Sequence, residues 1–177
     1  MPELPAVETV VRDRRAHGLE NAVILKADVR WPRTVAGLSP AAFSKALSGR
    51  TVTSVSRRAK YIVLVLDAGQ RLLIHLRMTG KLRFAGESET PGKHDRAVIT
   101  LADGRRLVFN DTRKFGRMRL AGPGDDPLSA LGPEPLEENF TADALQRQLK
   151  GKARKIKPLL LDQQTVAGLG NIYVDES

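Results

Sequence analysis

The stretch TVTSVSRRAKYIVLVLDAGQRLLIHLRMTGKLRFA, Thr51 to Ala85, sets four runs of β-branched and aliphatic residues almost end to end. Positions 51–57, 60–67, 71–77 and 80–85 read as strands, with Asp67-Ala68-Gly69 as a hairpin connection. Three more strands follow at 95–101, 105–110 and 116–121. Gly86 to Lys93 is a longer polar loop between the two groups, and Ala102-Asp103-Gly104 is a second tight turn. So many short strands without intervening helices predict an antiparallel sandwich or barrel rather than a parallel sheet.

On the N-terminal side, Val23, Leu25, Ala27, Val29 and Trp31 alternate, which predicts a strand over 21–31 with these five residues on one face. Ser39-Pro40 is an N-cap and first-turn pair for a short helix whose Phe43, Ala46 and Leu47 face inward, closed by Gly49. Residues 3–17 carry Val7, Val10, Val11 and Arg14 at helical spacing and stop at Gly18.

On the C-terminal side, Ala121 to Pro135 is rich in Gly, Pro and Asp and reads as a linker. Thr141 can cap a helix with Leu145 and Leu149, a second helical stretch covers Ile156 to Asp162, and Gly168-Leu169-Gly170-Asn171 turns into a third from Ile172. That last helix reaches Ser177 without a C-cap, which reads as a fragment. The expectation is a mainly β protein with α: a β-sandwich flanked by helices over 1–121, a linker over 122–135, and a helical unit over 136–177.

Composition bounds the function. Hydrophobic residues at 41% and charged residues at 28% are those of a soluble globular protein. The absence of Cys excludes disulfides and thiolate metal sites within the chain and fits a reducing compartment. No apolar run approaches the roughly 18 residues that span a bilayer, so the expected location is the cytoplasm, with no membrane partner. The net charge is +9, and it is uneven: residues 1–120 hold 23 Lys and Arg against 11 Asp and Glu, residues 121–177 hold 6 against 9. A basic front part is the footprint of a protein that binds a phosphate backbone, although a solvated basic surface would look similar.

Four places carry residues that a plain sandwich would not require. In Met1-Pro2-Glu3-Leu4-Pro5, loss of Met1 would leave Pro2 as a secondary amine, a nucleophile beside the proton-transferring carboxylate of Glu3. The same residues also suit the first turn of a helix. Lys60 stands at the edge of an apolar strand, where it could be desolvated into an acid or base or remain a plain edge charge. Met78, before the Thr79-Gly80 turn, could fill a core gap or wedge between bases. Asn110-Asp111-Thr112-Arg113-Lys114-Phe115-Gly116 could insert into a duplex or be a basic hairpin tip with one buried Phe.

These motifs resemble the formamidopyrimidine-DNA glycosylases of the family that includes endonuclease VIII. MPELPAVETV is similar to that family's N-terminal signature. AKYIVLVL, HLRMTG, KHDR, NDTRKFGRM, KIKPLLLD and GLGNIYVDE follow its later motifs in order, and Leu4-Pro5 points to the formamidopyrimidine branch.

The resemblance implies a bifunctional glycosylase and lyase of base-excision repair, acting as a monomer on double-stranded damaged DNA carrying 8-oxoguanine or formamidopyrimidine. Alternatives are an oxidised-pyrimidine glycosylase and a non-catalytic DNA-binding module. It implies Pro2 as the nucleophile, Glu3 as proton donor and Lys60 as the acid for elimination. Met78, Arg113 and Phe115 would fill the void left by a flipped nucleotide. His94, Arg113, Lys152, Arg154, Lys155, Lys157 and Asn171 would hold phosphates, helped by backbone N–H groups of the Gly168 to Asn171 turn.

The resemblance also implies a helix–two-turns–helix motif, of which 136–177 would be the start, and a zinc finger with four cysteines. That finger is absent from a chain without Cys, so no cofactor is expected in it. Ala6 and Thr112 depart from the family pattern, which has Glu and often Pro at these positions.

Overall fold

The computed structural model describes residues 2–177; the expected removal of Met1 falls outside them. Its central feature is a pair of sheets that meet through the apolar faces of their strands. We label the strands β1 (Ile24–Val29), β2 (Val35–Ala36), β3 (Val52–Arg58), β4 (Tyr61–Leu66), β5 (Arg71–His75), β6 (Gly80–Ala85), β7 (Asp95–Leu101), β8 (Arg106–Asp111) and β9 (Arg117–Ala121). One sheet has the order β1-β7-β8-β6 and the other β2-β9-β5-β4-β3. Ile24, Ala97, Leu107 and Phe109 from the first meet Val55, Ile62, Leu72, Ile74 and Met118 from the second in one buried cluster. This is the expected sandwich.

Two details differ from the sequence reading. The 21–31 strand changes phase: Ile24 pairs with Leu101 but Lys26 with Thr100, so Leu25 is an extra residue. Such a bulge flips the alternation. Ala22 and Ile24 are therefore buried and Leu25 is 51% exposed, whereas Ala27 faces the core again. The short β2 was not anticipated, because two residues give no alternation to read; it pairs parallel to β9, the one parallel pair among the described residues.

Helix α1 (Leu4–Ala16) buries Leu4, Val7 and Val11, and α2 (Pro40–Leu47) buries Phe43 and Leu47. Ser39 caps α2 by accepting the Ala42 N–H at 3.2 Å. Three short helices follow, α3 (Ala142–Leu149), α4 (Ile156–Leu161) and α5 (Asn171–Glu176). Thr141 caps α3 through the Ala144 N–H, but Leu145 and Leu149 are not buried.

The 122–135 stretch is packed against the sandwich at two points. Leu128 joins Val63, Leu73 and Ala121 on the outer face of the five-stranded sheet. Glu134, between two prolines, is only 3% exposed.

Candidate active site

Glu3 is the N-cap residue of α1, and its carboxylate crosses to the far end of the chain. Its Oε2 accepts the Gly170 N–H at 2.9 Å and the Tyr173 N–H at 3.2 Å, and its Oε1 accepts the Ile172 N–H at 2.9 Å. A carboxylate is an acceptor only, so three converging donors fix it in one orientation. The glycines make this approach possible. A Cβ at Gly170 would lie 2.5 Å from Glu3 Cδ, and one at Gly168, where φ is +89°, would lie 2.6 Å from Leu4 Cδ1. Leu4 N–H in turn donates to Gly168 O at 3.2 Å.

This narrows one expectation. The Gly168 N–H goes to Gln163 Oε1 and the Gly170 N–H to Glu3, so neither is free for a phosphate. Of the turn's N–H groups, that of Gly170 serves the N-terminal carboxylate.

Lys60 sits in the β3–β4 turn rather than at a strand head and is 5% exposed. Burial depresses its ammonium below the ordinary lysine range, the charge of Glu3 pulls it back up, and Arg77 pushes it down again. Its turn is held from outside. Ala59, at φ 51°, donates its N–H to Glu134 Oε1 at 2.5 Å, while Arg57 and Arg58 reach the same carboxylate at 2.6 and 2.9 Å. Arg57 also pairs with Glu8 at 2.9 Å. Burial alone would raise the Glu8 carboxyl, but Arg57 and Arg12 more than offset it and lower it.

His75 lies against Tyr61, ring edge to face at 4.7 Å, and its Nδ1 accepts the Arg77 N–H at 3.1 Å. Burial, then the charges of Arg77 and Lys60, push it down to about 4. The folded protein therefore keeps His75 neutral in a window where the unfolded chain takes up a proton, between about 6.5 and about 4. Stability contributed by this group is intact above that window and falls as the pH drops through it, by about 3 kcal/mol in all. His75→Gln should flatten the acid limb of unfolding free energy against pH. Parallel curves for the two proteins in urea melts from pH 4 to 7 would refute this.

Met78 and Phe115 are 45% and 48% exposed and line one hollow of about 360 Å³ with Arg77 and Arg117. Arg113 lies over the Phe115 ring at 4.9 Å, so the structure brings all three expected void-filling residues to one edge of the sandwich. Phe115 is thus not the buried Phe of a plain hairpin tip. The loop is built on Asp111, fully buried, which accepts from Thr79 Oγ1, from Arg113 N–H at 3.2 Å and from Gly116 N–H at 2.7 Å. A Cβ at Gly116 would lie 2.3 Å from Phe109 Cζ. Lys114 places its ammonium 4.1 Å over the Trp31 ring.

Three residues immediately preceding these candidates share one feature. Ala59 before Lys60, Arg77 before Met78 and Lys114 before Phe115 all have φ between 51° and 63°. A non-glycine residue there costs of order 1 kcal/mol and persists only where its surroundings enforce it.

The remaining positions are less gathered. His94 is half-buried in the turn just before β7. Lys152 donates to Thr165 at 2.7 Å, Arg154 pairs with Asp162 at 3.4 Å and Lys157 with Asp175 at 2.5 Å, all on exposed ground with Lys155. Asn171 opens α5 beside the N–H groups that hold Glu3. No group of three or more His, Asp or Glu among the described residues could hold a metal, so the residues present do not fit a zinc site. Nor is any described helix long and apolar enough to cross a membrane.

The formamidopyrimidine-DNA glycosylase N-terminal domain model matches residues 1–118, and the formamidopyrimidine-DNA glycosylase H2TH domain model matches 131–177. The chain belongs to the formamidopyrimidine-DNA glycosylase family. Family members similar to it include the formamidopyrimidine-DNA glycosylases of Herpetosiphon aurantiacus, 44% identical, and Desulfitobacterium hafniense, 43% identical, each over 100% of this chain. The chain spans 66% of the length of each of these relatives.

Solved structures of the family agree. The Lactococcus lactis enzyme with an abasic-site DNA superposes with a TM-score of 0.88 at 38% identity, over 99% of this chain and 65% of that one. The L. lactis G226P mutant with a Fapy-dG DNA gives 0.89 at 39%, again over 99% and 65%.

Sequence reading missed Glu134, Asp111 and the structural part of His75. Each works through partners distant in the chain, and none belongs to a pattern of spacing. A lone Glu between two prolines in Gly132-Pro133-Glu134-Pro135 was the only available signal.

Proposed function

We propose that this chain carries the catalytic part of a bifunctional DNA glycosylase and AP lyase that removes oxidised purines, 8-oxoguanine and formamidopyrimidine, in base-excision repair. The observation that carries the reading is the buried Glu3 carboxylate, fixed by three N–H groups one residue from Pro2 and within the field of a desolvated Lys60.

In this reading the Pro2 amine, freed by removal of Met1, attacks C1′ of the damaged nucleoside. The new N–C1′ bond forms as the glycosidic bond breaks and the base departs with its electron pair. Glu3 gives a proton to the sugar oxygen as the ring opens, leaving a Schiff base. Lys60, whose proton affinity is lowered by burial, serves the β-elimination, and δ-elimination then leaves a one-nucleotide gap.

Met78, Arg113 and Phe115 occupy the hole in the duplex, since a flipped nucleotide leaves unstacked neighbours that apolar and guanidinium groups can cover. His94, Arg113, Lys152, Arg154, Lys155, Lys157 and Asn171 contact phosphates. The protein acts as a cytoplasmic monomer on double-stranded damaged DNA, with 1–121 as catalytic domain, 122–135 as the connection and 136–177 as part of the helix–two-turns–helix domain.

Borohydride trapping tests this. The purified chain, incubated with duplexes carrying an abasic site or 8-oxoguanine and then reduced, is expected to give a covalent protein–DNA band on both. The band should vanish when Met1 is retained. A band on the abasic duplex alone would restrict the reading to lyase chemistry, and none on either would leave a DNA-binding module.

A further inference from the structure

We propose that Arg96 is a positioning residue that locks the His94 imidazole in its Nε2–H tautomer and ties it to the loop that carries Arg113. Strand register places it there. Asp95 pairs with Asn110 but Ala97 with Phe109, so Arg96 is the extra residue of a bulge in β7. A bulge re-aims a side chain out of the alternating pattern. The Arg96 side chain accordingly runs along the sandwich edge, and the residue is only 8% exposed.

Its guanidinium makes four contacts from that position. Nε donates to Asp111 O at 2.7 Å, Nη1 to Lys93 O at 3.3 Å, and Nη2 to His94 Nδ1 at 3.2 Å and Thr112 O at 3.5 Å. Arginine can only donate. The His94 Nδ1 must therefore offer a lone pair, and its proton resides on Nε2, because the partner of one ring nitrogen sets the state of the other. The backbone closes the same unit, since the Asp111 N–H donates to His94 O at 2.8 Å.

The consequence is a directional donor. An imidazole free to exchange tautomers would present an N–H at Nε2 only part of the time, whereas the locked ring presents one always. Through Asp111 O and Thr112 O the same side chain holds the residues just before Arg113. The inference deepens the proposed phosphate contact of His94 and rests on it for its effect on DNA, but the tautomer itself does not depend on DNA.

The test reads the tautomer first. In long-range ¹H–¹⁵N spectra of the DNA-free chain, His94 should show an unprotonated Nδ1 and a protonated Nε2. Arg96→Met should give an averaged mixture, and Arg96→Lys, which lacks the planar fork, should not restore the single form. On a duplex carrying a tetrahydrofuran abasic analogue, Arg96→Met and His94→Ala should each weaken binding by about 10-fold or more, the scale of one hydrogen bond to a charged group. The double variant should be no weaker than the poorer single one, because both changes remove the same contact.

An Nδ1–H form or a mixture in the unsubstituted chain would overturn the proposal, whether or not Arg96→Met folds. Losses that multiply in the double variant would overturn the coupling. Full-strength binding by His94→Ala, with the Nε2–H form still fixed, would support the lock and remove the phosphate contact from the proposed function.

Discussion

Glu3→Gln is expected to lower base release by roughly 10²–10⁴-fold, the usual contribution of a positioned acid or base. The substitution does more than remove a proton. The carboxylate accepts from three backbone N–H groups, at Gly170, Ile172 and Tyr173, through both oxygens. A carboxamide offers one oxygen, and its NH₂ would face at least one of those donors.

Gly170→Ala separates the two effects. It keeps the carboxylate but brings a Cβ to 2.5 Å from Glu3 Cδ, so the group must move. A displacement on the order of 1 Å costs about 10²-fold in a positioned site. Single-turnover base excision should therefore fall for both variants, with Gly170→Ala the milder. Wild-type rates in Gly170→Ala would show that the fixed orientation of Glu3 is irrelevant to the chemistry.

Glu134→Ala should destabilise the fold by about 3–5 kcal/mol, because it removes from a buried position the one carboxylate shared by two guanidinium groups and the Ala59 N–H. Arg57 has a side chain 9% exposed and loses its 2.6 Å partner, keeping Glu8 and the Ala59 carbonyl at 3.0 Å. Arg58 keeps the carbonyls of Leu131 and Gly132 at 2.9 and 2.8 Å, so it suffers less. Ala59 loses the acceptor of its N–H while still held at φ 51°.

Urea unfolding at neutral pH measures the loss, and a change under about 1 kcal/mol would mean that the cluster contributes little beyond its own desolvation. A second readout is chemical. The turn released by the substitution carries Lys60, so elimination on an abasic duplex should slow more than DNA binding weakens.

The strands other than β2, with α1 and α2, were legible because alternation and helical spacing are local. β6 and β7 fall where the runs 80–85 and 95–101 place them. Ser39-Pro40 capped the helix it was read to cap. The reading failed where one residue was inserted, at Leu25, since a bulge leaves composition unchanged and only shifts phase.

In the site, Glu3, Lys60, Met78 and Phe115 were visible as residue types out of place. Their supports were not. Glu134 reaches Arg57 across 77 positions and Glu3 reaches Gly170 across 167, and no periodicity links such pairs.

The bonds from Glu3 to residues 170–173 also bear on synthesis. A nascent chain emerges N-terminus first, and domains fold as their last necessary residues leave the ribosome. The sandwich can close once β9 has emerged at Ala121, but the carboxylate of Glu3 has no donors until Tyr173 has followed. Some fifty residues, roughly 3–10 s of translation, separate the two events. During that interval the protein is a folded scaffold whose Glu3 carboxylate is not yet held, and the cluster around it becomes complete only when the late-made turn returns to the first residues made.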